Sequence, residues 1–509
     1  MRNTFVLIVL DGWGIGEENE SNPVSVVKPE TFARLAREYP VTSLHASGIS
    51  VGLPWGETGN SEVGHLTLGA GKVLYQSYPR VTLAIRDKSF FENKTLKDLF
   101  VHAKERGTAV NAVGLLSKGN VHASVEHVLA ILEMGTREGV KVKLHLFADG
   151  KDSPPRSIDT FLKEIPKKHI ATLTGRYYGM DREGRWTLTQ KAYETLLGQG
   201  GLVGDDPAPQ LKKLYDENIT EEFLPPLRLQ KDGGIKDHEA VLFFNFREDS
   251  IRQIAEAFIV PEFNTFPVTH FTDLPIATMV QYKDSFAVPV LFPPERTEYT
   301  LGKLISDAGK TQLRLAETYK YAHITYFFNG HTEAPLKNEY RVLIPSIQSP
   351  HAEEHPEMQA QAITDRLIQA IESQGFDFIL VNYANPDTIG HTGNYEGALE
   401  AIRTIDRELG RCIAVAEKTG TPVILTSDHG NIEELFNPRT GTPETQHDPN
   451  PVPFYLVVPE YKGRAFRNAE NLREPVGTLA DVAPTVLHLM GIPKPDAMTG
   501  NDLLNELML

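Results

Sequence analysis

The chain has 509 residues, 40% of them hydrophobic and 23% charged, with a formal net charge of −16. That length exceeds what one hydrophobic core supports and predicts two domains. The acidic balance argues against nucleic-acid binding, which needs a basic footprint, but leaves room for a small anionic ligand held by a local arginine cluster. The single cysteine, Cys412, excludes a disulfide framework and a cysteine-cluster zinc site, so a reducing cytoplasm is the expected location.

The apolar run Phe5 to Leu10 is too short for a signal segment or a membrane span. No later stretch approaches ~18 uninterrupted apolar residues, so no membrane association is expected. Strand-like runs alternate with helix-like segments, which predicts an α/β fold. The first strand, Thr4–Leu10, ends at Asp11-Gly12, placing a carboxylate where a central strand stops. Gly59-Asn60-Ser61-Glu62-Val63-Gly64-His65 then opens a helix-compatible segment. Serine there is a common helix cap, but it also puts Ser61 at a helix N-terminus, where free N–H groups favour an anion. A metal on its oxygen would lower the hydroxyl pKa without a neighbouring base.

Gln76-Ser77-Tyr78-Pro79 and Phe292-Pro293-Pro294-Glu295 read as stiff connectors. Residues 76–295 are therefore expected to form a domain inserted into one built from residues 1–75 and 296–509. The insert contains a predicted helix at Val125–Met134 and predicted strands at Lys143–Phe147 and Ala240–Phe246. Its turn-prone loops carry His122, Lys151 and Asp152, and Gly175-Arg176-Tyr177-Tyr178 and Arg182 follow, with Arg185 expected to pair with a surface carboxylate. Arg247 closes the second strand. Arginine suits bidentate capture of phosphate or carboxylate, and Asp152 is placed to exchange protons with a hydroxyl.

Beyond the insert, helices are predicted at Ala360–Gln374 and Gly397–Thr419, and strands at Phe376–Tyr383 and Pro422–Thr426. Asn385-Pro386-Asp387-Thr388-Ile389-Gly390-His391 spaces Asp387 and His391 one helical turn apart. Ser427-Asp428-His429-Gly430 directly follows the last strand, and His447 lies in a loop before Asn450-Pro451-Val452-Pro453. Each is weak alone, since an Asp after a strand is usually a helix cap. Together Asp11, Asp387, Asp428, His391, His429 and His447 suit two divalent ions of the Mn or Zn type, at the strand ends where open α/β sheets build their sites.

These segments resemble the cofactor-independent (2,3-bisphosphoglycerate-independent) phosphoglycerate mutase family of the alkaline phosphatase-like superfamily. The likeness spans nearly the whole chain, and the Gly59–His65 and Gly175–Tyr178 motifs are its most specific parts. It implies an alkaline phosphatase-like metal domain with a phosphoglycerate-binding insert. It implies that Asp387, His391 and His447 hold one metal, and Asp11, Ser61, Asp428 and His429 the other. Ser61 would become phosphoserine during exchange of 3-phosphoglycerate and 2-phosphoglycerate, a glycolytic isomerisation. His122, Lys151, Asp152, Arg176, Arg182, Arg247 and Lys320 would surround the substrate, with Asp152 as base and acid and Lys320 facing the phosphoryl group. The metal would be manganese, with magnesium, cobalt or zinc as alternatives, no 2,3-bisphosphoglycerate would be needed, and the protein would be a monomer. The domains would close to keep water from the phosphoserine.

The chain departs from the family pattern at several positions. Ser250 stands where a second arginine is usual, and Arg252 is expected to point elsewhere. Lys151 replaces an arginine and loses its bidentate fork. Ser117–Ser124 differs from the common His-rich form, and Tyr319 stands where glutamate is common. None of these is a metal position or the nucleophile.

Overall fold

The computed structural model describes residues 4–295, 297–349, 351–464 and 471–504. The chain divides into two compact units, Met1–Tyr75 with Arg296–Leu509, and Gln76–Glu295. Each is built on an eight-stranded, mainly parallel sheet, as an α/β chain with buried apolar strands should be.

In the first unit the strands lie in the order Glu339–Ile344, Gln312–Glu317, Phe378–Tyr383, Phe5–Leu10, Val423–Thr426, Val452–Val457, Val41–His45 and Gly477–Thr478. Phe5–Leu10 is central and pairs in parallel with Phe378–Tyr383 on one side and Val423–Thr426 on the other. Both of its faces are buried. Val6, Ile8 and Leu10 join one core while Phe5, Leu7 and Val9 join the other. A continuous apolar run, rather than an alternating one, is what such a position demands.

The helix Tyr395–Thr419 covers one face, burying Ala398, Ala401, Ile402, Ile405, Leu409, Cys412, Ile413 and Ala416. Asn394 caps its start by accepting from Gly397 N, and Gly420 ends it in the left-handed conformation. The spacing of the buried residues is the helical period that the sequence displays.

The second unit's strands run Val290–Phe292, Ile276–Val280, Ala240–Phe243, Ala109–Leu116, Lys141–Ala148, Ile170–Gly175, Leu227–Arg228 and Leu202–Val203. The first six are mutually parallel. Two sequence expectations are corrected here. The strand expected at Ala240–Phe246 stops at Phe243, because Asn245 turns its side chain back to accept from Leu115 N. Ser77–Arg86 is a helix rather than a connector, with Pro79 buried in its first turn, where a proline's missing N–H costs nothing. Arg185 does face the expected surface carboxylate, exposed Glu183 at 3.5 Å, and it also pairs with Asp181, whose side chain is buried.

Candidate active site

Four neighbouring parallel strands of the first unit end on the same side, and the segment after each carries polar groups. Asp11 follows Leu10, Asp387 lies in the helix Asn385–Gly390 after Tyr383, Asp428 and His429 follow Thr426, and Lys320 follows Glu317. These segments lie far apart in sequence, and the sheet order makes them neighbours. The packing is close. A Cβ on Gly12 would stand 2.7 Å from the Asp387 Cα, and one on Gly64 would stand 2.5 Å from the Asp428 carbonyl oxygen.

Ser61 is the first residue of the helix Ser61–Ala70, whose cap is Asn60, accepting from Val63 N. Its hydroxyl donates to Asp11 Oδ1 at 2.9 Å, lies 2.9 Å from His429 Nε2 and accepts from Lys320 Nζ at 2.7 Å. The Lys320 ammonium also stands 2.6 Å from Asp11 Oδ1 and 2.5 Å from Asp387 Oδ2. All of these groups are buried.

The donor set fits divalent metal. His391 and His447 present their Nε2 atoms 3.1 Å apart, at 3.2 Å and 3.1 Å from the same oxygen, Asp387 Oδ1. The other nitrogen of each ring faces a backbone carbonyl, Thr445 O at 2.8 Å and Gly59 O at 2.7 Å. His429 repeats the pattern with Gly430 O. A carbonyl can only accept, so Nδ1 carries the hydrogen, and each Nε2 is the atom that either binds a cation through its lone pair or holds a second proton. Two lone pairs and an anionic oxygen facing one another repel unless a cation lies among them. Ligand atoms of Asp387, His429 and His447 converge within 4.8 Å, and so do those of Asp11, Asp428 and His429. Asp428 Oδ2 is buried and makes no hydrogen bond, although His65 Nδ1 lies 3.0 Å away.

The electrostatics agree. Burial alone would raise the Asp11 and Asp387 carboxyls, yet Lys320 and the nearby imidazoles hold both well below the usual carboxylate range. Against its own burial, His429 is pushed up to about 10 by Asp428, Asp11 and Asp387. The carboxylates call for more positive charge than Lys320 supplies.

Several groups that the sequence reading passed over support these ligands. Asn431 Nδ2 donates to Asp387 Oδ1 at 2.9 Å. Asn382 Nδ2 donates to Asp11 Oδ2 at 2.8 Å and to His65 Nε2 at 3.0 Å, while His65 Nδ1 lies 3.0 Å from Asp428 Oδ2. An asparagine inside the apolar strand Phe378–Tyr383 was the visible signal, since a buried polar side chain needs a partner.

In the second unit four neighbouring strands again end together. His122 Nδ1 lies 2.6 Å from Asp152 Oδ2, and Arg176 Nη1 donates at 2.7 Å to both Asp152 Oδ1 and Asp149 Oδ1. Asp149 also accepts from the backbone N–H of Lys151, Asp152 and Ser153 and from Ser117 Oγ, which fixes the loop. Burial raises the Asp152 carboxyl, but His122 and Arg176 outweigh it and hold it below its ordinary value. Asp249 accepts from Arg182 Nη1 at 2.6 Å, lies 3.3 Å from Arg247 Nη2 and stands 3.2 Å from His122 Nε2. Thus His122, Asp152, Arg176, Arg182 and Arg247 form one cluster joined through aspartates. Lys151 is exposed beside it, and Arg252 turns away to donate to Tyr282 O. Lys320 is set among the carboxylates around Ser61.

A family model described as Metalloenzyme superfamily matches residues 3–494. A 2,3-bisphosphoglycerate-independent phosphoglycerate mutase of a Synechococcus species is 42% identical over 506 residues, covering 98% of this chain and 95% of the relative. The protein of that description from Moorella thermoacetica is 41% identical over 513 residues, covering 98% of each chain. Among solved structures, Leishmania mexicana phosphoglycerate mutase at low cobalt concentration aligns with a TM-score of 0.52 and 26% identity, over 99% of this chain and 98% of that one.

Proposed function

Because the chain belongs to the Metalloenzyme superfamily and to the 2,3-bisphosphoglycerate-independent phosphoglycerate mutases, we propose that Ser61 carries the phosphoryl group in its reaction. The enzyme is a metal-dependent isomerase that interconverts 3-phosphoglycerate and 2-phosphoglycerate. The observation that carries the reading is the Ser61 hydroxyl itself, at a helix N-terminus and within 2.9 Å of Asp11, His429 and Lys320.

The Ser61 hydroxyl donates to Asp11, which orients it, and accepts from the Lys320 ammonium, so negative charge on Oγ is stabilised as it attacks phosphorus. Asp387, His391 and His447 would hold one divalent cation, and Asp11, Ser61, Asp428 and His429 a second. Such a pair supplies Lewis-acid charge neutralisation for an in-line displacement. The acceptor is the other hydroxyl of the same glycerate, which keeps the phosphoryl group within one molecule.

The glycerate is assigned to the second unit's cluster of His122, Lys151, Asp152, Arg176, Arg182 and Arg247. Guanidinium groups suit its carboxylate. Asp152, kept ionised by His122 and Arg176, is the base that takes the proton of the free hydroxyl and, once protonated, the acid that returns it to the oxygen the phosphoryl group has left. Manganese is the proposed metal, since mixed carboxylate and imidazole ligands suit it. A cytoplasmic monomer is the proposed state.

The test is metal removal by a chelator and readdition, following 3-phosphoglycerate, 2-phosphoglycerate and free phosphate together. Isomer formation without phosphate release is expected, and Ser61→Ala should lose both turnover and covalent label from radioactive substrate. Full turnover by Ser61→Ala would remove Ser61 from the mechanism.

A further inference from the structure

Two arginines and an imidazole in the second unit already surround a carboxylate, and it belongs to the chain. Asp249 Oδ2 takes Arg182 Nη1 at 2.6 Å and faces Arg247 Nη2 at 3.3 Å, while Oδ1 stands 3.2 Å from His122 Nε2. Both arginine side chains are about half exposed, 57% and 50%, so they are free to serve an incoming ligand, whereas the Asp249 side chain is only 25% exposed. Ser250 closes the group, with its N–H on Asp249 Oδ1 at 2.7 Å and Oγ 3.4 Å from His122 Nε2. Its side chain brings no positive charge to offset Asp249.

We propose that Asp249 is an internal competitor for the substrate's carboxylate, which sets how tightly this enzyme holds phosphoglycerate. The inference rests on the reading above, that Arg182, Arg247 and His122 bind the glycerate portion. A guanidinium engaged by one carboxylate must loosen that contact, or share it against like-charge repulsion, before it takes a second. Exposed ion pairs of this kind are weak, so exchange is cheap. The built-in anion therefore lowers substrate affinity without closing the site. It also limits product retention, because either phosphoglycerate leaves into competition with Asp249.

The competition is read in the intact, metal-loaded enzyme with D-glycerate, which carries the carboxylate and both hydroxyls but no phosphoryl group. In Asp249→Asn, the inhibition constant for D-glycerate and KM for 3-phosphoglycerate should both fall three- to tenfold. Asp249→Ser should do the same, which guards against a local folding effect of either variant. Asp249→Glu, which keeps the anion, should stay near the parent. A rise in both constants in Asp249→Asn and Asp249→Ser would show that the aspartate orients the arginines, and would overturn the proposal, as would unchanged constants. Arg182→Ala and Arg247→Ala test the underlying reading separately. If they leave D-glycerate inhibition unaltered, the cluster is not the glycerate site at all; if they weaken it while the Asp249 variants fail to tighten it, only the competition is wrong.

Discussion

Around Ser61 one hydroxyl oxygen is shared by a carboxylate, an imidazole and an ammonium, all buried. Lys320→Met should therefore lower kcat by about a hundred- to a thousandfold, the scale of losing a donor aimed at developing charge. Steady-state kinetics at saturating metal check it, and a loss below tenfold would contradict the role given to the ammonium. Asn382 Nδ2 serves the candidate ligand Asp11 directly, through Oδ2, and also donates to His65 Nε2, whose other nitrogen stands beside Asp428. Asn382→Leu should weaken metal binding by about ten- to a hundredfold, the usual cost of losing a supporting hydrogen bond, measured by calorimetric titration of Mn2+ into metal-stripped protein. At this scale Asp11, Asp428 and His429 were legible because they directly follow apolar strands, and Asp387 and His391 by their spacing of one helical turn; His447, in a loop, had only its residue type to mark it. Asn382, Asp149 and Asp249 were not assigned roles. A carboxylate or amide that serves another side chain has no spacing of its own to betray it.

Among the elements, the helix Ser61–Ala70 is the one whose placement decides the chemistry. Gly64 lets it lie against the strand end at Asp428, where an added Cβ would come within 2.5 Å of a backbone oxygen. Gly64→Ala should cost about 1–3 kcal/mol by overpacking and weaken metal binding as well, because Ser61 and Asp428 would be pushed apart. Denaturant unfolding and metal titration together check this, and a fully stable variant with parental metal affinity would show that the helix has room. The strands Phe5–Leu10, Phe378–Tyr383 and Val423–Thr426 were readable because central parallel strands are apolar on both faces. Ala109–Leu116 and Ile170–Gly175 escaped notice. Asn111 and Thr172 interrupt their apolar runs, and their partners lie on neighbouring segments: Glu239, Ala240 O and His145 for Asn111, and His145 for Thr172. Gln76–Pro79 reads as a connector because Pro79 looks like a breaker, although a proline in the first turn is compatible with a helix, here Ser77–Arg86.

For the whole molecule, each unit has its own sheet and its own core. Residues 76–295, expressed alone, should fold with a cooperative unfolding transition, followed by circular dichroism. Their stability should depend on acid. His127 and His145 are fully buried, and burial, helped at His145 by Lys143, lowers both imidazoles to about 3. The folded form keeps them neutral while the unfolded chain protonates near its ordinary value, so stability is complete above about pH 6.5 and is lost as pH falls from there toward 3, by about 1.4 kcal/mol per pH unit for each ring. Urea unfolding at pH 7.5 and pH 5 should differ by up to roughly 2 kcal/mol per imidazole, and equal stabilities would mean that these rings are protonated in the fold. Length by itself predicted more than one domain, and the alternation of strand-like and helix-like segments predicted an α/β fold. Local pattern determined which serine, aspartates and histidines were worth testing, since residue type and distance from a strand end are properties of the sequence. Only the tertiary structure decided that Leu10, Tyr383, Thr426 and Glu317 end side by side. Strand order follows from packing both faces of a sheet, a condition on the whole unit that no single segment carries. It is this order that turns residues hundreds of positions apart into one set of converging lone pairs around Ser61.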